Sequence, residues 1–301
     1  MSMASSRLTI KKFLIRNAAP VVRRQLLALA EGAQDLTSRA QQSVAWVGAL
    51  PDFIIIGTQK GGTTYLYDEL VKQPGFAAAR TKEIHFFDAY YDRGRGWYRA
   101  FFPRKAARRG TPPMLTGEAS PSYLFHPHAA RRASVTTPKA KYIVLLRDPV
   151  ARAYSHYHHE VRLGFEELSF AEAVAQEAAR LAGELERMRD DDNYTSQPLM
   201  HYSYLARGRY LEQLQTWQRY FGRDQLLVLS SEQLQRDTPA TIRRVGEFLG
   251  LKDWQPVPSI TPKIFPYPKL DPVVQQRLAD YFAPHNRALF DYLGEDYGWN
   301  G

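Results

Sequence analysis

The sequence predicts an α/β fold, with a central and mostly parallel sheet flanked by helices in a P-loop NTPase-like arrangement. Two observations carry that expectation. Phe53–Ile56, Tyr142–Leu146 and Gln225–Leu229 are short, continuous apolar runs rich in β-branched residues or leucine. Their length and composition suit strands buried on both faces of a parallel sheet. Longer helical stretches separate and follow these runs, and a glycine-rich turn joins the first run to the helix after it. Strands alternating with helices build parallel sheets, because each parallel crossover needs a long connection, usually a helix.

Taken in chain order, residues 1–45 form a basic extension with partial helical patterning. Arg7, Lys11, Lys12, Arg16, Arg23 and Arg24 all precede the first acid, Glu31, and Ile10, Leu14, Val21 and Leu29 recur roughly on one helical face that Pro20 interrupts. Three readings stay open: a helix packed on the body, a membrane-surface helix giving peripheral contact through residues 1–30, or an acid-poor transit peptide. No secretory h-region with a small-residue cleavage site is visible. Residues 46–301 read as one domain. Its first strand leads into a helix expected near Tyr65, and further helices are expected over Ser169–Arg189, Tyr210–Tyr220, Thr238–Leu249 and Pro272–Leu293. Ser169 with Glu172 has the spacing of a capping box.

Composition narrows the function classes. The 301 residues contain no cysteine, which excludes disulfides, thiolate metal sites and cysteine nucleophiles and favours a cytoplasmic setting. No window holds the roughly 18 uncharged apolar residues of a membrane span. Forty Lys and Arg against 31 Asp and Glu give a net charge of +9, which points to an anionic partner. No RNA- or DNA-binding module is recognisable, so nucleic acid is not the expected partner.

The most informative segment is Gly57-Thr58-Gln59-Lys60-Gly61-Gly62-Thr63-Thr64, placed after a strand and before a helix. Glycines let successive N–H groups turn toward one anion, the helix N-terminus adds partial positive charge, and Lys60 adds a full one. Against the Walker pattern G-x-x-x-x-G-K-[ST], Gly57 and Gly62 match but Thr63 occupies the lysine position. Lys60 sits three residues early. ATP-type phosphoryl transfer needs Mg²⁺ held partly by a strand-end Asp. Here the second run ends Leu146-Arg147-Asp148-Pro149, with arginine first. A sulfuryl group carries less charge than a terminal phosphoryl, so lysine and backbone donors could serve it without metal. Ser155 lies two helical turns beyond Arg147, and a guanidinium and a hydroxyl at that spacing can converge on one phosphate.

These segments, with Lys82-Glu83-Ile84-His85-Phe86-Phe87-Asp88 and Leu146 through Tyr157, resemble the sulfotransferase superfamily that uses 3′-phosphoadenosine 5′-phosphosulfate (PAPS). The resemblance is to its carbohydrate branch, which includes heparan sulfate sulfotransferases and bacterial relatives, and it runs from the first strand to Trp299. It implies that Lys60, Gly61, Gly62, Thr63 and Thr64 grip the 5′-phosphosulfate. Arg147 and Ser155 would grip the 3′-phosphate, with Tyr210 and Lys263, or Lys269, as further cofactor contacts. It also implies Glu83 as general base beside His85 and Asp88, with Lys60 stabilising the leaving oxygen. If the segment is extended, Glu83 and His85 project to one side. The resemblance departs at Thr64, where heparan-type relatives carry arginine, and at Ala119 in Glu118-Ala119-Ser120-Pro121-Ser122-Tyr123, where they carry lysine. The cysteine pair and the membrane anchor of some Golgi members are also missing.

The expected activity is therefore transfer of a sulfuryl group from PAPS to a hydroxyl, less readily an amine, of a carbohydrate, lipid-linked or small-molecule acceptor. A kinase-like phosphotransferase and a noncatalytic binder of anionic polymers are the alternatives. No metal is expected. His156 and Glu160 lie i, i+4 on a helix, but no partner ligands appear at metal spacing. The oligomeric state is not legible in the sequence.

Overall fold

The computed structural model describes residues 48–104, 114–251, 254–257 and 268–299. The basic extension over 1–45 and Lys263 lie outside the described residues. Five parallel strands form one sheet in the order β2-β3-β1-β4-β5, where β1 is Phe53–Gly57, β2 Phe76–Ala78, β3 Leu115–Ala119, β4 Lys141–Leu146 and β5 Leu226–Ser230. The register aligns Phe53 with Gly117 on one side and with Lys141 on the other.

Both sheet faces are covered, as the continuous apolar runs require. Ile54, Ile56, Tyr142, Val144 and Leu146 pack with Phe86, Phe87, Tyr98 and Trp217. The alternate residues Phe53, Ile55, Ile143 and Leu145 pack with Leu66, Leu70, Ile242 and Val245 on the opposite face. Successive strand side chains point to opposite faces, so each run feeds two cores.

β2 and β3 are not anticipated by the apolar pattern. β2 has only three residues, and the interior of β3 is Thr116-Gly117-Glu118. What makes β3 a strand is tertiary. The Thr116 hydroxyl donates to Ala77 O at 2.8 Å and the Tyr67 hydroxyl to Gly117 O at 3.2 Å. A Cβ at Gly117 would stand 2.5 Å from Phe53 O, so only glycine lets the strands approach there.

The helices follow local signals closely. α1 spans Thr63–Val71, two residues earlier than expected. The short α2, Gly94–Arg99, and α3, Ala129–Thr136, follow β2 and β3 respectively. α4, Pro149–Leu163, starts with Pro149 in its first turn and with the Asp148 carboxylate accepting from the Ala151 amide at 2.7 Å. Such a cap is worth about 1 kcal/mol. The capping box of Ser169 and Glu172 forms at the start of α5, Phe170–Leu181. The helix expected over Ser169–Arg189 is in fact two, because Gly183, at φ 75°, breaks it before α6, Glu184–Asp190. α7 covers Gln197–His201, α8 Tyr210–Gln218, α9 Ser231–Arg236 and α10 Thr238–Phe248. α11, Pro272–Leu293, has the expected bounds, set by the Asp271 cap and by Gly294 at φ 70°.

Candidate active site

β1 has β3 on one side and β4 on the other, so the chain departs in opposite directions from its carboxyl end. Open parallel sheets place ligands in the crevice at such a switch point. Here a cavity of about 1100 Å³ is lined by residues that follow β1, β3, β4 and β5 and by the segment after β2.

The loop after β1 is shaped by close approach and by left-handed backbone. A Cβ on Gly61 would meet Leu145 O at 2.5 Å, while Gly62 takes φ 95° and caps α1 with no side-chain bond. Gly62 has no side chain with which to cap the amides opening α1, and Gly62, Thr63 and Thr64 line the cavity beside Lys60. Burial, together with the nearby Arg162 and Arg147 charges, lowers the Lys60 ammonium to about 8. Arg147 leaves β4 on the other side of the loop and donates from Nη1 to Lys60 O at 3.0 Å. Ser155, on α4, lines the same cavity. Gly61 and Tyr210 do not line it. The Tyr210 hydroxyl is spent on Arg147 O at 2.7 Å, so it holds the arginine's backbone rather than facing the cavity. Lys269 is exposed and is not part of the lining.

Glu83, His85 and Asp88 line the cavity together. The segment carrying them is not extended, contrary to expectation: Glu83 and His85 have φ 54° and 56°, both left-handed. That backbone costs roughly 1–2 kcal/mol per non-glycine residue and persists only where its surroundings hold it. They do so here. The His85 amide donates to Ser120 Oγ at 3.1 Å and the Phe86 amide to the Tyr123 hydroxyl at 2.7 Å. Both hydroxyls in turn donate to the fully buried Glu118, Ser120 to Oε2 at 2.7 Å and Tyr123 to Oε1 at 3.0 Å, and the Tyr98 hydroxyl joins at 2.7 Å. Burial pushes the Glu118 carboxyl up, against those three hydroxyl donors.

The His85 ring lies between two carboxylates. Nδ1 is 2.9 Å from Asp88 Oδ2 and Nε2 is 3.8 Å from Glu83 Oε2. Burial opposes the imidazolium, yet Asp88 and Glu83 raise His85 well above its ordinary value. Burial likewise opposes ionisation of Asp88, but His85 and the donating Ser122 hydroxyl hold its carboxyl well below the usual range. Glu83 is lowered, chiefly by the His85 imidazole beside it. The arrangement therefore keeps Glu83 ionised and His85 protonated near neutral pH.

Ser120, Ser122, Tyr98 and Glu118 went unassigned by sequence reasoning. For Glu118, Ser120 and Ser122 the signal is the Glu118-x-Ser-x-Ser-Tyr turn after β3; Tyr98 lies on α2, and no local pattern marks it. His156 and Glu160 meet at 3.3 Å inside the fold, and His201 Nδ1 joins Glu160 at 2.8 Å. Among the described residues, no group of three or more His, Cys, Asp or Glu side chains is placed to hold a metal ion.

Residues 50–280 match the sulfotransferase domain. The chain is 32% identical over 286 residues to mouse heparan sulfate glucosamine 3-O-sulfotransferase 3A1, covering 84% of this chain and 65% of that protein. It is 30% identical over 284 residues to mouse heparan sulfate glucosamine 3-O-sulfotransferase 6, covering 83% of this chain and 74% of the relative. Among solved structures, a sulfotransferase from Alicyclobacillus acidocaldarius superposes with a TM-score of 0.62 at 31% identity, covering 84% of this chain and all of the other. With the phosphate loop, Arg147 and the Glu83 segment gathered at one switch point and the match extending over most of the domain, the chain belongs to the sulfotransferase family.

Proposed function

We propose that the chain transfers a sulfuryl group from PAPS to a hydroxyl of a carbohydrate or carbohydrate-bearing acceptor, leaving adenosine 3′,5′-bisphosphate. One observation carries this reading. Two anion-binding constellations, Lys60 with the start of α1 and Arg147 with Ser155, open into one cavity with Glu83, His85 and Asp88. A nucleotide with phosphate on both its 3′ and 5′ sides matches two such grips, and the amides opening α1 together with the half-buried Lys60 ammonium fit the 5′ group.

PAPS, when bound, supplies the sulfuryl group and the leaving phosphate. Glu83 removes the acceptor proton as the new S–O bond forms. His85 cannot share that role while it already carries its proton between Asp88 and Glu83, so it orients Glu83. Lys60 lines the cavity with Glu83 and offsets charge on the oxygen that leaves. Lys263 is a further proposed contact to the nucleotide.

Transfer of ³⁵S from labelled PAPS to a panel of glycans tests the reaction. Calorimetry should show adenosine 3′,5′-bisphosphate binding at least tenfold more tightly than AMP without added metal, with most of that preference lost in Arg147→Ala. Equal affinity for the two nucleotides would sink the reading. ATP turnover with magnesium would favour the phosphotransferase alternative instead.

A further inference from the structure

Beyond the nucleotide end, the cavity continues along a wall built by the end of α4, the link to α5, and helices α6 and α7. Leu163, Phe165, Leu185, Met188 and Met200 line it, and Phe125 closes it from the β3 side. Met188 is buried, whereas Met200 is 40% exposed. The apolar surface thus runs from the interior of the cavity to solvent.

The charges on this side do not suit a polyanion. Glu83, Asp88 and Glu160 all line the cavity. Among the described lining residues, the guanidinium and ammonium groups are Lys60 and Arg147 at the nucleotide end, and Arg207. Arg207 is committed internally: Nε donates to Ser203 Oγ at 2.7 Å, Nη2 donates to Leu199 O at 3.1 Å, and its guanidinium carbon stands 4.7 Å from the centre of the Phe125 ring. The two positions where heparan-type relatives carry a cation are Thr64, which lines the cavity, and Ala119, which is buried in β3. The carboxylates are themselves committed, Glu83 and Asp88 to the His85 ring and Glu160 to His201, so a sulfated or carboxylated acceptor would meet no uncommitted cation among the described residues on this side and would lose its hydration without a charged partner.

We propose that the acceptor is an uncharged amphiphile: a hydroxyl carried on a neutral polar head, joined to an apolar body that lies along the α4–α7 wall. This rests on the sulfuryl-transfer reading and names its acceptor class. The head places its hydroxyl at Glu83. The apolar body leaves water against Leu163, Phe165, Met188 and Met200, and each buried methylene strengthens binding several-fold.

The test uses the full chain saturated with adenosine 3′,5′-bisphosphate, titrated calorimetrically with octyl β-glucoside below its micelle concentration, with glucose, and with a heparin-derived oligosaccharide. The alkyl glycoside should bind at least tenfold more tightly than glucose, and also more tightly than the oligosaccharide. Met200→Lys, at a half-exposed position, should weaken alkyl glycoside binding at least fivefold and leave the bisphosphate affinity intact. Equal binding of glucose and octyl glucoside, no binding of either, tighter binding of the oligosaccharide, or an indifferent Met200→Lys variant would each overturn the proposal. The preference for the bisphosphate over AMP, read on the same instrument, separates the two failures. If it is retained while the alkyl arm fails, only the acceptor class is wrong; if it is lost, the nucleotide reading has failed.

Discussion

The Tyr123 hydroxyl donates to Glu118 Oε1 at 3.0 Å and accepts the Phe86 amide at 2.7 Å, so a buried carboxylate on β3 sets the path of the segment that carries Glu83 and His85. Ser120 repeats the arrangement one residue earlier, between Glu118 Oε2 and the His85 amide. Glu118→Gln keeps the shape but replaces one acceptor oxygen with an N–H donor, which then faces a hydroxyl already donating. A stability loss of about 1–3 kcal/mol is expected, the usual cost of a buried polar mismatch. Turnover should fall at least tenfold while bisphosphate affinity changes little, because the proposed nucleotide grips lie on other loops. Urea unfolding and calorimetry measure the two, and an NMR titration of His85 should show its raised value displaced. An unmoved His85 would reduce Glu118 to a packing role.

The His85–Asp88 pair makes stability depend on pH in a defined direction. Asp88 is depressed in the folded state, so its contribution is present above the unfolded carboxylate value of about 4 and fades as pH falls below it toward the folded value. His85 is raised, so its contribution is full below about 6.5 and fades as pH climbs through the folded value. The destabilisation caused by Asp88→Asn should therefore be largest between about pH 4 and 6.5 and should shrink in alkali. Denaturation midpoints of both proteins across that range decide it, and a difference that is constant with pH would rule the pair out as the source.

Lys60, lowered to about 8, should impose its own profile on nucleotide binding. The bisphosphate keeps its charge above neutrality, since second phosphate ionisations lie near 6. A loss of affinity from pH 7 to 9.5 that Lys60→Met does not share therefore reports the ammonium losing its proton. Binding should weaken by about tenfold or more over that interval, a charge-assisted contact being lost. Lys60→Met should bind weakly at every pH with no such slope. A parallel decline in both proteins would assign the titration elsewhere.

Glu83→Gln tests the base. Removing it should leave bisphosphate affinity unchanged and reduce transfer from PAPS by about 100-fold or more, the scale of a lost general base. His85→Asn should do less, since His85 orients Glu83 rather than taking the proton. If the histidine variant is the more damaged in single-turnover assays, the roles are reversed.

The proposed nucleotide half of the site rests on local chemistry. Gly57 to Thr64 between a strand and a helix, and Arg147 with Ser155 eight residues on, are each contained in one short segment whose backbone follows from its own residues. The same holds for the caps at Asp148, Ser169 and Asp271, where a side chain reaches an amide two or three residues away. Three strands were legible because burial on both faces demands continuous apolar residues.

Tertiary structure decided the remainder, since those features depend on groups far apart in the chain. β3 is a strand because Tyr67, Ala77 and Phe53 surround Thr116 and Gly117, not because Leu-Thr-Gly-Glu-Ala resembles one. Glu83 and His85 meet through two left-handed residues held by Glu118, Ser120 and Tyr123, where an extended segment had been expected. The apolar wall from Leu163 to Met200 exists only once α4, α6 and α7 pack beside the sheet's carboxyl edge. No local pattern marks such a surface, because its residues belong to four segments, each of which read alone is an ordinary helix or turn.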